Sequence, residues 1–314
     1  MRWLGVAMEA MAVRGRDLDA FAYGDPGDLR IFDWGGGLHI LCVSFQPQRR
    51  LLLEALAGYL LLRNGVPIGY GTISGLFRSA EIAFNLFEPH RSGDTAWIFA
   101  RVLATAHQLF GAESFALPPY QVGGLGNDEG LDSGAWWFYR KLGFAPRDPA
   151  ARRLMHAEEA RIVRDPKHRT QRATLARLGE AGLQWPPDGA ADGMGVLPLA
   201  EAGLAVTDFL AKRFGGDEDR GTAVCAREAA ALLGGGSAKD WNSHERQAFQ
   251  RWASLVLLLP GINRWQPVEK RGLLAIIRAK GGVRESDFVR QFDGHPRLPG
   301  ALRKLVENRQ PSTA

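Results

Sequence analysis

Ala80-Glu-Ile-Ala-Phe-Asn-Leu-Phe87, Glu88-Pro-His-Arg-Ser-Gly-Asp94, Thr95-Ala-Trp-Ile-Phe-Ala-Arg-Val-Leu-Ala-Thr-Ala-His-Gln-Leu-Phe110: this stretch decides how the chain is read. Its first segment is an apolar run of strand length. It is rich enough in aromatic and β-branched residues for a buried strand, and Pro89 ends it. A short polar loop follows, His90 to Thr95. Behind the loop, Trp97, Ala100, Leu103/Ala104 and His107 recur by threes and fours and predict a helix from Ala96 to Phe110. A strand, a Gly-containing loop and a helix in that order aim free first-turn N–H groups at an anion, and a phosphate suits such a place. Arg91 adds a full positive charge and a forked donor.

Working outward, the flanking segments read as sheet on the N-terminal side. Asn64-Gly65 is the preferred pair for a tight turn and joins strands over Gly58–Arg63 and Val66–Leu76. Gly35-Gly36-Gly37 joins strands over Leu29–Trp34 and Leu38–Phe45. Before these lie short helical stretches at 2–13 and 17–24, and a turn signal at Asp25-Pro26-Gly27-Asp28. On the C-terminal side, Ser114–Val122 reads as a strand whose ladder is interrupted beyond Leu117 by Pro118 and Pro119. Gly123–Gly130 is a Gly-rich loop. A helix over 132–142 and a short strand at 144–147 follow. After Arg147-Asp148-Pro149 the strand patterns stop, and the remainder reads as helices. The division expected is therefore a sheet-bearing domain over 1–149 and an all-α domain over 150–314. The fold class is α+β, with a mixed, mostly antiparallel sheet flanked by helices.

Composition sets few limits. The chain has 314 residues, a length that suits about two domains. A hydrophobic content of 46% allows a substantial core, and a net charge of +5 suits an anionic ligand without requiring nucleic acid. Residues 151–180 carry eight Lys/Arg against four Asp/Glu, which reads as a solvated helical face in preference to a nucleic-acid surface. The two cysteines, Cys42 and Cys225, are far apart, so a disulfide framework is excluded and a reducing cytoplasm fits. No apolar run reaches the ~18 residues a membrane span needs. There is no His-Glu-x-x-His and no Cys-x-x-Cys, so no metal is expected.

A second stretch, Asp132-Ser-Gly-Ala-Trp-Trp-Phe-Tyr139-Arg-Lys-Leu-Gly-Phe144, gives the first one a context. With the strand–loop–helix it resembles the GNAT-type N-acetyltransferases, over roughly residues 50–150. That family carries a phosphate loop Arg/Gln-x-x-Gly-x-Gly/Ala, matched here by Arg91-Ser92-Gly93-Asp94-Thr95-Ala96, with Asp94 in place of the central Gly. Asp94 is taken as the helix N-cap. The family's Asn-x-x-Ala-x-x-x-Tyr-x-x-x-Gly-Phe segment is matched at Ala135, Tyr139, Gly143 and Phe144, with Asp132 replacing the Asn. The resemblance implies acetyl-CoA as co-substrate. It implies a sheet whose two central strands splay to admit that co-substrate. It assigns cofactor contacts to Asn85, Leu86 and Phe87 on the strand, to Arg91, Ser92, Gly93, Asp94, Thr95 and Ala96 in the loop, and to Asp132.

Two groups are assigned to the chemistry. Tyr139 matches the family's acid, and a phenol of pKa about 10 is a sensible donor to a departing thiolate. Glu81, at the start of the central strand in an Ala-Glu-Ile segment of the kind histone-type members carry, is the base, acting directly or through a water. Tyr120 and Glu113 are weaker alternatives for it. Three readings follow, in order: an acetyl-CoA-dependent N-acetyltransferase whose amine acceptor is a small molecule or a protein; a catalytically degenerate binding or scaffold protein of that fold; and a nucleic-acid-associated protein acting through its basic helices. The helical part is open to three uses: covering the acceptor cleft, forming a homodimer, or binding a partner.

Overall fold

The computed structural model describes all of the chain except Met1, Leu18, Ser92, residues 188–192, Val196, residues 235–239 and residues 310–314. The assignment made to Ser92 lies outside the described residues. Two N-terminal helices, α1 (Arg2–Ala12) and α2 (Asp19–Ala22), precede five consecutive strands: β1 (Gly24–Asp33), β2 (Leu38–Phe45), β3 (Ala55–Arg63), β4 (Val66–Leu76) and β5 (Ser79–Leu86). Then come α3 (Thr95–Phe110), β6 (Ser114–Leu117), α4 (Asp128–Asp132), α5 (Ala135–Lys141), α6 (Pro149–Arg164), α7 (Arg172–Gly179) and β7 (Leu183–Trp185). Six helices close the described chain: α8 (Ala200–Phe214), α9 (Glu218–Leu232), α10 (Ser243–Leu258), α11 (Pro267–Lys280), α12 (Glu285–Gly294) and α13 (Leu298–Glu307).

The seven strands form one sheet in chain order. Neighbours run antiparallel except β5 and β6, which are parallel. Antiparallel neighbours need only tight turns. The Asn64-Gly65 turn holds both residues at positive φ and sets the β3/β4 register at Arg63 opposite Val66. Parallel neighbours need a crossover, and α3 supplies it.

Side-chain alternation gives the sheet two faces. Leu41, Val43, Leu60 and Leu62 point to one face, where α1 and α2 cover them with Leu4, Ala7, Met11 and Phe21. The cover thins over β4 and β5, where Tyr70 alone of the face residues packs against this cluster. Tyr70, Thr72 and Ser74 stand opposite Asn85, Ala83 and Glu81 there, and all six are only half-buried. The other face, with Cys42, Tyr59, Ile73, Ile82 and Phe84, lies under α3 and the later helices in one continuous apolar cluster.

Several local expectations need correction. Asp25–Asp28 does not turn the chain but forms an irregularity within β1, between Gly24 and Leu29. The strand expected to reach Val122 ends at Leu117, because Pro118 and Pro119 cannot donate to a ladder; residues 119–122 wind into a 3-10 turn. The helix expected over 132–142 begins only at Ala135, after Gly134, whose φ is 67°, and the end of the stretch read as a Gly-rich loop is itself helical, as α4. The strand expected at 144–147 is a single bridge from Ala145 to Gln184. Strands do not stop at 149: β7 adds to the edge of β6 at Phe115, Ala116 and Leu117. Three residues carry no readable periodicity, and β7 is a strand because an unpaired edge is there to receive it.

Buried polar groups tie the later helices to the sheet. Arg50, 1% exposed, donates to the carbonyls of Phe45, Lys280, Gly282 and Val283. Lys280 donates to the carbonyls of Leu53 and Glu54 and, at 2.6 Å, to the Glu285 carboxylate. Among the described residues no helix is long and apolar enough to cross a membrane.

Candidate functional site

The parallel pair of β5 and β6 is short. It runs from Ser79 opposite Ser114 to Glu81 opposite Ala116. β5 continues to Leu86, while the chain after Leu117 turns away at its two prolines. The result is a wedge-shaped gap beside Ala83–Leu86. A cavity of about 660 Å³ occupies it, lined by Tyr70, Ala83 and Asn85 from the open face and by Phe84, Phe138 and Tyr139 from the covered one. The cavity thus passes through the plane of the sheet.

Where β6 departs, Phe84 loses its strand neighbour. A backbone N–H and C=O left open there would each cost about 1–3 kcal/mol. Gln121 takes the neighbour's place. Its Oε1 accepts from the Phe84 N–H at 3.0 Å, and its Nε2 donates to the Phe84 carbonyl at 2.8 Å. A primary amide presents its oxygen and one N–H on the same edge, so the contact imitates the N–H and C=O that one residue of a facing strand would exchange with Phe84. The same Nε2 donates to Tyr139 Oη at 2.8 Å. Tyr139 is 2% exposed and stacks edge-on against Phe99 and Phe138; burial raises its pKa, so it is a neutral phenol.

Tyr59 braces the gap from the β3 side. Its hydroxyl donates to the Ala83 carbonyl at 2.7 Å, crossing over Gly71. A Cβ on Gly71 would lie 1.9 Å from the Ala83 oxygen and 2.5 Å from the Tyr59 hydroxyl, so only glycine fits.

The outer end of the cavity is polar and charged. Gly93, Thr95 and Ala96, at the start of α3, line it with Arg91. Arg91 Nε donates to the Leu86 carbonyl at 3.0 Å, and its Nη2 is bonded to Glu129 of α4. Arg16 approaches the same carboxylate at 3.9 Å. The hydrogen bond from Arg91 holds Glu129 below the usual carboxylate range. Asp94 stands at the N-cap position of α3, but its side chain makes no capping bond and pairs with Arg63 instead.

The remaining predicted residues lie elsewhere. Phe87 turns to the α1 side, stacked on Tyr70 with the Arg14 guanidinium 4.2 Å from its ring centroid. Asp132 is exposed and paired with Arg172, as is Asp128. Glu81 is on the open face but outside the cavity lining, beside Gly195. Its pKa is raised by burial and by the Glu54 carboxylate. Among the described residues no group of three His, Cys, Asp or Glu is placed to hold a metal ion.

Gln121, Glu129, Arg16 and Tyr59 carry much of this geometry and escape sequence reasoning. The one signal for Gln121 was its place just after Pro118-Pro119, where a strand must lose its partner. Comparison with models of known families, with curated proteins and with solved structures finds no match to this chain.

Proposed function

We propose that the chain is an acyl-CoA-dependent N-acyltransferase of the GNAT type, with acetyl-CoA as donor and an amine as acceptor. One observation carries the reading. A three-residue parallel pairing inside an otherwise antiparallel sheet opens into a gap that holds a buried tyrosine, with a helix start and an arginine at its outer end. The residues suit the co-substrate. Phe84 offers one N–H and one C=O to an amide-bearing arm, and the start of α3 with Arg91 offers donors to a phosphate.

In direct transfer a C–N bond forms, a C–S bond breaks, and one amine proton is replaced on the sulfur. Burial keeps Tyr139 protonated and also makes it a weaker acid than a free phenol, so on the covered side it meets the departing thiolate first as a hydrogen-bond donor. Glu81, its pKa raised, accepts the amine proton on the open side, through water because it is not among the residues that line the cavity. Tyr70, Thr72, Ser74 and Asn85 make the open face the acceptor's approach.

A second reading, a degenerate member that binds without turnover, is favoured by a specific observation: Arg91 and the Phe84 backbone already have partners within the chain. The third reading has less support. Arg161 is paired with Glu158 and Arg172 with Asp128 and Asp132, so the basic stretch carries less free charge than its composition implies. The deciding test is thiol release from acetyl-CoA across a panel of primary amines, with the acylated product detected by mass. Turnover with any amine establishes the enzyme, and retention of acetyl-CoA without turnover favours the degenerate reading.

A further inference from the structure

Two side chains in the cleft have the chemistry of a ligand. Gln121 presents an amide to the backbone of Phe84, at 3.0 and 2.8 Å. Glu129 presents an anion to Arg91 and Arg16. Both line the same cavity, and both come from the one segment that follows β6.

That segment is itself firmly held. Arg172 binds both Asp128 and Asp132, Glu180 accepts from the Leu125 N–H at 3.0 Å, and a Cβ on Gly124 would lie 2.7 Å from the Gly179 backbone. The backbone is therefore the fixed part. The side chains of Gln121 and Glu129 are the parts that can turn out of the cavity. Gln121 is half-buried and Glu129 is exposed, so neither must cross a packed core to do so.

We propose that Gln121 and Glu129 are stand-ins, holding the places of an amide and of a phosphate until an extended, amide-bearing, phosphorylated chain displaces them. The proposal rests on the acyl-thioester reading and gives the cleft a gate. An incoming chain that carries two amides repeats the two bonds to Phe84 that Gln121 makes, the carbonyl of one amide accepting from the Phe84 N–H and the N–H of the other donating to the Phe84 carbonyl, and an incoming phosphate repeats the pairing that Glu129 makes. Affinity is the difference between ligand and stand-in, so each stand-in lowers it. Displacement of Gln121 also frees Tyr139 Oη from its donor at the moment the sulfur arrives.

The test is calorimetric titration of the full chain, Gln121→Ala and Glu129→Gln with three probes: acetyl-CoA, pantetheine, and adenosine 3′,5′-bisphosphate. Water replaces the Gln121 amide at Phe84, and thermal midpoints verify folding; Gln121→Asn, too short to reach, is the second variant at that position. Gln121→Ala is expected to bind acetyl-CoA and pantetheine about three- to tenfold more tightly, with the bisphosphate unchanged. Glu129→Gln is expected to tighten acetyl-CoA and the bisphosphate by a similar factor, with pantetheine unchanged. Binding that appears only in the variants supports the gate as well. Equal or weaker binding by the variants, where the parent chain binds acetyl-CoA, overturns the stand-ins and leaves the acyltransferase reading intact. A gain at one position alone overturns the paired arrangement. No binding of acetyl-CoA by any of the proteins overturns both.

Discussion

Tyr139 was singled out by the family resemblance of its segment, and it is a buried residue in the wall of the cavity. Its oxygen accepts from Gln121, so its own proton is available to another group. Tyr139→Phe removes that proton and little volume. The expected result is a transfer rate lower by about ten- to a thousandfold with acetyl-CoA affinity nearly unchanged. An unchanged rate in a steady-state assay removes Tyr139 from the mechanism. Arg91 was legible too, from its place before a helix start, but its pairing with Glu129 was not. Gln121 and Glu129 sit after two prolines and in a glycine-rich run, where tertiary contacts set the conformation and local pattern says little.

Asp293 shows a different kind of residue-scale effect. It accepts from the N–H groups of Arg78 and Phe77, both at positive φ in the β4–β5 turn. Burial raises its pKa to about 6, with Arg78 and the two N–H groups lowering it and Glu113 raising it. The folded chain therefore holds this proton more tightly than the unfolded chain does. The group's contribution is most favourable below pH 4 and declines as the pH rises from about 4 to about 6. Asp293→Asn cannot ionise. It is expected to match the parent near pH 4 and to exceed it by up to about 2–3 kcal/mol at pH 7. A stability difference between the two proteins that stays constant across denaturant titrations from pH 4 to 7 contradicts this.

At the scale of elements, the break between α4 and α5 sets the site. One helix carries Glu129 and the other Tyr139, and Gly134, in the left-handed conformation, separates them. α4 was not legible, because it lies at the end of a glycine-rich run, and α5 was expected to begin at Asp132 because nothing local announces the left-handed conformation of Gly134. A Cβ at Gly134 meets nothing within 4 Å, so Gly134→Ala tests conformation alone. Its expected cost is about 1 kcal/mol, with Gly134→Asn costing less. Equal stability of the parent and the alanine variant in urea removes the strain argument. β7 was illegible for a plainer reason, being three residues that owe their state to the edge of β6.

For the whole molecule, the sheet's expected strands and mostly antiparallel character were readable, and its connection to the later helices was not. Nothing in the pattern around Arg50 or Lys280 announces that they meet. Lys280 is buried, its pKa lowered by burial and opposed by Glu285, and its ammonium satisfies two carbonyls of the loop before β3. Lys280→Met leaves the buried Glu285 carboxylate without its 2.6 Å partner and with only the Arg50 guanidinium 4.0 Å away, which is expected to cost about 3–5 kcal/mol. Adding Glu285→Gln is expected to recover part of that loss. Such a tie also predicts one calorimetric unfolding transition for the chain; two separated transitions would place an independent unit on either side of residue 149.

The central claim is that the gap between β5 and β6 takes an acyl-CoA. Calorimetric titration of the intact chain with acetyl-CoA, paired with a thermal shift, tests it most directly. Saturable one-to-one binding is expected, with stabilisation of about 2.7 kcal/mol at a hundredfold excess over the dissociation constant. Binding should be lost on filling the gap with Ala83→Trp. The absence of both heat and thermal shift at millimolar acetyl-CoA, in the parent chain and in the Gln121→Ala and Glu129→Gln variants, would contradict the claim.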